Sequence, residues 1–174
     1  FYFRDIFRGR TKPHFFSWFV WTIITGVAFL AQLFSNAGSG AWVTGFSAAI
    51  SLVIAILALS RGEKEIKKMD WLCFAGALLG ILLWIKTKNP LSAIVIVTLT
   101  DATAFLPTFR KSYNKPSEET ATEYALASIK WMMGLVAIES FDLVNWLYPA
   151  SLVLTNGLFT VMVLIRRRFI ANSR

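Results

Sequence analysis

Two ionisable side chains lie deep inside apolar stretches of this 174-residue chain, Asp101 and Lys130. Asp101 precedes Arg110 by nine residues and Lys130 follows Glu123 by seven, which corresponds to about 13 and 10 Å along a helix. Charged groups inside a bilayer are costly and by default indicate function. We expect an ion pair, or a carboxylate whose protonation the ammonium tunes, as in a proton- or substrate-coupling site. A structural pair, or a lysine that extends to the interface, explains the same residues.

A third polar group, Asn156, lies at the centre of the last apolar stretch, ten residues after Trp146. Its carboxamide carries two donor hydrogens and an acceptor, so it needs partners inside the membrane. A pocket for a polar solute would supply them, and so would a hydrogen bond to a neighbouring helix. Both interpretations remain open from the sequence.

Residues that carry catalysis are scarce. The chain has one histidine, His14, and one cysteine, Cys73, and it contains no Gly-x-Ser-x-Gly, His-Glu-x-x-His or phosphate-binding glycine motif. A single cysteine forms neither an intramolecular disulfide nor a multi-thiolate metal site. We therefore predict a protein that is not an enzyme and that has no metal and no cofactor.

The composition indicates an integral membrane protein, because 56% of the residues are hydrophobic and 16% are charged, against about 25% charged in ordinary globular chains. Six apolar runs approach the 20 or so residues that cross a hydrocarbon core of about 30 Å. They are Phe15–Phe34, Ala41–Ser60, Asp70–Thr87, Pro90–Phe109, Glu123–Glu139 and Trp146–Ile165. The predicted fold is an all-α, polytopic membrane bundle with six spans.

The distribution of basic residues predicts the orientation. Of the 18 lysines and arginines, all but Lys86, Lys88 and Lys130 lie before the first span, after the second and fourth spans, or in the tail. This asymmetry predicts a cytoplasmic C-terminus in a plasma or inner membrane. It also accounts for the net charge of +8, so the expected partner is the lipid bilayer and not a nucleic acid.

A short internal repeat appears when the sequence is shifted by 106 residues. FRDIFRGRT (Phe3–Thr11) then aligns with FRKSYNKPS (Phe109–Ser117), and Phe7 matches Tyr113. Each copy is a basic segment that leads into a span. If the repeat is genuine, the first residues are the end of a helix that this chain lacks, and we expect the chain to be trimmed.

These segments resemble the loops of a known family. LPTFRKSYNKPSEE (Leu106–Glu119) resembles the Pro-Gln loop of the PQ-loop superfamily, which includes the SWEET sugar transporters, and Tyr2–Trp18 resembles its first copy. The resemblance implies two three-helix bundles joined by an inverting linker helix, with seven spans in the full protein. Residues 1–60 would then be the first bundle without its first helix, 61–89 a loop and the linker helix, and 90–174 the second bundle and tail.

The loop motif itself is Pro107–Thr108, in which threonine stands where the family has glutamine. A proline at this place could bend the end of the fourth span, as a gating helix needs.

The same resemblance implies a substrate site. Asn156, Trp131 and Trp21 would line it, and Ser47 and Ser51 would face it from the third helix of the first bundle. Aromatic rings stack on the apolar faces of small ligands and amides bind hydroxyls, which suits a polar organic solute.

The sequence therefore predicts a transporter for a small polar organic solute, such as a sugar or amino acid, with alternating access about a midplane site. The alternative is a non-transporting scaffold or receptor subunit of the same fold. A solvent-lined cavity that reaches Asn156 would distinguish the two. Homo-oligomerisation is left open.

Overall fold

The computed structural model describes residues 2–8, 13, 15–62, 66, 68–114, 116 and 121–172, and over these residues the protein is helical with no strand. The helices are α1 (Tyr2–Phe7), α2 (Phe15–Phe34), α3 (Ala41–Arg61), α4 (Lys68–Thr87), α5 (Pro90–Asn114), α6 (Ala121–Val136) and α7 (Leu143–Asn172). A single 3-10 turn, η1 (Gly38–Gly40), leads into α3.

Four helical segments in the described part are long and apolar enough to cross a membrane. They are Phe15–Phe34, Gly38–Arg61, Lys68–Thr87 and Leu143–Ile170, and Pro90–Leu106 is a shorter apolar segment. A helix satisfies the hydrogen bonds of its own backbone, so it can cross lipid, which offers no hydrogen-bond partners. The all-helical fold class is therefore confirmed over the described residues, and four segments are candidate spans by length and composition, where six spans were expected.

Several helix boundaries differ from the sequence-based expectation. The largest difference is in α7, which begins three residues before the predicted span Trp146–Ile165 and ends seven residues after it. Helix α5 continues to Asn114, five residues beyond the predicted end at Phe109, so residues 110–114 of the expected loop are helical. The side chain of Pro107 lies outside the described residues. Arg166 explains part of the extension, because its Nε donates to the Tyr113 carbonyl at 3.0 Å and satisfies an acceptor of the last turn.

Helix α6 ends at Val136, three residues before the predicted boundary at Glu139. The chain leaves the helix because it bonds to another loop: the Glu139 amide donates to the Ala37 carbonyl at 3.0 Å. A tertiary hydrogen bond thus replaces the next intrahelical one.

The five long helices other than α4 form a closed ring. Helix α2 packs along α3 and α5, α5 along α7, α7 along α6, and α6 returns to α3, while α4 packs outside against α5 and α2. Helix α7 therefore lies between α5 and α6. We call the end that carries residues 35–40 and 137–142 the loop end, and the end that carries Arg61 and Arg166 the basic end.

Two hydrophobic cores divide this ring. The main core joins α2, α4 and α5 to Trp131, Tyr148 and Leu152, so it is shared between the first and last parts of the chain. The second core lies towards the basic end and comes from α5, α6 and α7 alone. Its buried residues are Ala121, Phe159 and Val163, and the partly buried residues around them are Phe105, Phe109, Tyr124 and Met162.

An arginine–aromatic contact occurs twice at the basic end. Arg61 donates to the Phe7 carbonyl at 3.2 Å and lies 5.1 Å from the centre of the Phe7 ring. Arg166 makes the same two contacts with Tyr113, at 3.0 and 4.1 Å. Phe7 and Tyr113 are the pair that the repeat aligns, although the 106-residue shift pairs Arg61 with Arg167 and not with Arg166. The internal repeat stays a prediction.

The loop end tolerates no side chain at Gly40. A Cβ there would lie 2.8 Å from the Ile138 amide nitrogen and 2.9 Å from the Gly134 carbonyl oxygen, whereas a Cβ at Gly26 meets nothing within 4 Å. We expect Gly40→Ala to destabilise the protein by about 1–3 kcal/mol through overpacking. Gly26→Ala, the matched control, should be neutral or stabilising by up to about 1 kcal/mol. Thermal unfolding in detergent measures both, and equal stability of the two variants would contradict the contact.

Candidate functional site

We call α2 and α3 the first part of the ring, α5–α7 the last part, and the line along which α3 and α6 meet the seam. Lys130 connects the two parts across this seam. Its ammonium donates to the Ser47 hydroxyl oxygen at 3.0 Å and lies 4.4 Å from the centre of the Trp131 ring. Ser47 in turn donates to the Val43 carbonyl of its own helix at 2.8 Å. Three of the residues predicted from the sequence are therefore in contact with one another.

The indole of Trp131 continues this cluster inwards. Trp131 is 5% exposed, and its ring packs edge-on against Tyr148 with the ring centres 5.9 Å apart. Tyr148 is 1% exposed. The cluster thus runs from Lys130 on α6 through the aromatic pair to Tyr148 on α7.

The ion pair expected between Asp101 and Lys130 is not formed. Within the described residues, Lys130 contacts Ser47 and Trp131, and the buried Asp101 carboxylate makes no hydrogen bond or ion pair. Asp101 and Lys130 lie on α5 and α6, and α7 packs along both of these helices. Each ionisable group is therefore without a counter-ion in this part of the chain.

The other predicted site residues lie around this cluster. Asn156 is buried, and its amide donates to the Leu152 carbonyl one turn back at 2.8 Å, so it bonds to its own helix and not to a neighbouring one. Ser51 is buried one turn beyond Ser47 on α3. Trp21 packs edge-on against Trp18 with 5.2 Å between ring centres and borders the main core.

Five hydrogen bonds close the loop end, and we call this set the clasp. The side-chain amide of Gln32 donates to the backbone carbonyl of Asn145 at 2.7 Å. The side-chain amide of Asn145 donates to the backbone carbonyl of Ser35 at 2.8 Å. The backbone amide of Ser39 donates to the Glu139 carboxylate at 3.0 Å. The backbone amide of Glu139 donates to the Ala37 carbonyl at 3.0 Å. Ser39 also donates to the Ala137 carbonyl at 2.9 Å.

The clasp joins the loop after α2 to the loop after α6, that is, the first part of the ring to the last. Contacts of the basic end behave differently, because Arg61 binds α1 while Arg166 and Arg167 bind Tyr113 and Pro116. These arginines therefore tie each part to itself. The two ends of the ring are held by different kinds of contact.

Sequence reasoning missed Tyr148 and the clasp. Tyr148 follows Trp146 near a span end and reads as an interfacial aromatic, and its burial depends on the helix that packs against it. The clasp residues lie in short polar loops, where the sequence gives no pairing signal. The arginine–aromatic contacts could have been found, because the repeat already aligns Phe7 with Tyr113.

An apolar groove of about 400 Å³ lies on the outer side of the ring between α4 and α5. Leu72, Cys73, Gly76, Leu99 and Thr100 contribute to its walls. The groove faces the membrane side of these helices, where Leu72 and Leu99 are exposed. It is separate from Asn156 and does not serve as the polar cavity that a solute would need.

No group of three or more histidine, cysteine or acidic side chains that could hold a metal ion occurs among the residues that the structure describes. Comparisons with known protein families, curated proteins and solved structures gave no match for this chain. The PQ-loop resemblance therefore stays a prediction, and the function has to be argued from the geometry.

The clasp makes a prediction about stability. Asn145 is fully buried and its amide bonds Ser35 and Ser140, so Asn145→Ala leaves two carbonyls without this donor. We expect a loss of about 1–3 kcal/mol in the free energy of unfolding. Ser140→Ala removes only a 3.4 Å surface hydrogen bond and should change it by less than about 0.5 kcal/mol. Chemical denaturation in detergent compares the two, and an Asn145→Ala protein as stable as Ser140→Ala would refute the clasp.

Proposed function

We propose that the protein is a membrane transporter for a small polar organic solute, such as a sugar or an amino acid. The observation that carries the proposal is the unequal closure of the ring. The clasp holds the first and last parts together at the loop end and the main core joins them further inside, while the second core at the basic end is built, among the described residues, from α5–α7. Alternating access requires contacts between two parts that can be broken at one end while they hold at the other.

The proposed solute site lies between these ends. Ser47, Lys130 and Trp131 form a polar cluster about 9 Å from the loop-end termini of α3 and α6. Ser51 and Asn156 lie further towards the basic end. Polar side chains at this depth are costly in a membrane and are kept where they line a path. While the clasp is closed, the solute would reach the site from the basic end only.

The proposal includes an arrangement and an orientation. Six spans in this chain, with α4 as a linker between a first bundle and the α5–α7 bundle, fit the outer position of α4 and the repeated arginine contacts. The basic end would face the cytoplasm of a plasma or inner membrane because lysine and arginine favour that side. The loop end, closed by the clasp, would then face outwards.

Accessibility of Ser51 tests the path. We would place Ser51→Cys in a Cys73→Ala background and measure labelling by a membrane-impermeant thiol reagent in vesicles of each orientation. We expect labelling from the basic end at least tenfold faster than from the loop end. Adding Asn145→Ala should raise labelling from the loop end severalfold, because the clasp no longer holds that end closed.

Leu154→Cys in the same background is the matched control, because Leu154 is exposed on the apolar surface of α7 and should react slowly from both sides. If Ser51→Cys reacts as slowly as Leu154→Cys from both sides, no path from the basic end reaches Ser51. The scaffold or receptor alternative then replaces the transporter.

A solute screen tests binding directly. Solutes that bind the folded form raise its stability, by about 2.7 kcal/mol at a hundredfold excess over the dissociation constant. We expect one class among sugars, amino acids, nucleosides and organic acids to raise the unfolding temperature of the detergent-solubilised protein. The increase should be reduced in Asn156→Ala. Stabilisation by no solute class would count against a transporter.

A further inference from the structure

The ammonium of Lys130 lies far from both ends of its helix. Lys130 is nine residues from the start of α6 at Ala121 and six from its end at Val136, about 13 and 9 Å along the axis. A lysine that extends to the interface would direct its stem along the helix. Here the ammonium turns sideways to Ser47 on α3, which lies six residues inside that helix. The positive charge is therefore held at depth, within the seam.

The partners of this ammonium are neutral. Ser47 offers a hydroxyl oxygen at 3.0 Å and Trp131 offers the face of its ring at 4.4 Å. Asp101, the other ionisable residue at this depth, lies beyond α7 on α5. Within the described residues Lys130 has no ion pair. An ammonium has three donor hydrogens, and the single hydrogen bond to Ser47 uses one of them.

The side chain is also accessible. More than a third of Lys130 is exposed, although its neighbour Trp131 is buried. Towards the loop end, α3 and α6 are in close contact, with Val43 about 3.2 Å from the Cβ position of Gly134. The ammonium thus lies directly beyond the closed part of the seam, where a ligand that comes from the basic end would stop.

We propose that Lys130 binds the carboxylate of a small organic acid, which replaces Ser47 as the acceptor of the ammonium while Trp131 covers the adjoining carbons. The proposal rests on the proposed transport function and names the substrate class of that site. One ammonium matches one carboxylate in charge, so the bound pair is neutral inside the membrane. A doubly charged phosphate or sulfate would leave a net negative charge beside the single ammonium.

The test compares acids with their neutral amides. We would measure thermal unfolding of the detergent-solubilised full chain with acetate and propionate, and with acetamide and propionamide, at equal ionic strength set by sodium chloride. The acids should stabilise the protein with an apparent affinity at least tenfold higher than that of the amides. Lys130→Met keeps the length of the side chain without its charge and should abolish this preference.

Lys86→Met is the matched control, since Lys86 is an exposed lysine in the last turn of α4, and it should keep the preference for acids. Equal stabilisation by acids and amides, including none by either, overturns the proposal. So does a preference for acids that survives Lys130→Met.

Ser47→Ala provides a second variant if Lys130→Met does not fold. It removes the resting acceptor of the ammonium, so the affinity for the acids should rise severalfold. An unchanged or lower affinity would overturn the proposal, because the carboxylate would then not compete with Ser47.

Uptake into proteoliposomes separates this inference from the transport proposal. Acid binding that depends on Lys130 without uptake of any acid supports the site and contradicts transport. Uptake of a neutral solute at the same rate in wild type and Lys130→Met supports transport and contradicts the carboxylate site.

Discussion

The cost of an ionisable side chain without a counter-ion is the constraint on which this structure depends. The Lys130 ammonium lies in the middle of α6 with a hydroxyl and an indole face as its partners, and the Asp101 carboxylate is buried without a hydrogen bond among the described residues. Several other polar side chains of the helices, among them Thr25 and Thr160, bond a carbonyl of their own helix. The two ionisable groups differ from these threonines, which is why the proposed function centres on them.

The ring of helices gives this site its setting. Helices α2 and α3 meet α6 and α7 through the clasp at the loop end, where hydrogen bonds between short loops replace side-chain packing. Towards the basic end, aromatic packing around Phe159 unites α5, α6 and α7 only. Within the clasp, Gln32 and Asn145 are fully buried, so opening this end would break hydrogen bonds of buried side chains.

The repeated arginine contacts show how the two parts keep their shape. Arg61 on α3 binds the carbonyl and the ring of Phe7 at the end of α1. Arg166 on α7 binds the carbonyl and the ring of Tyr113 in the last turn of α5. A guanidinium serves both partners because it donates in its plane and stacks on its face. These contacts lie within each part and not between the two parts.

The sequence by itself determined the helices, because the length of an apolar run fixes where a chain can span lipid, and α2 begins and ends where the run does. The position of a polar residue along its helix could be counted from the charged residues at the helix ends. The direction in which its side chain faces could not. Whether Asp101 faces Lys130 depends on which helices are neighbours, and only the tertiary structure placed α7 between them and Ser47 opposite the ammonium. A linear count of residues gives position along a helix axis, and the packing of helices decides what each side chain meets.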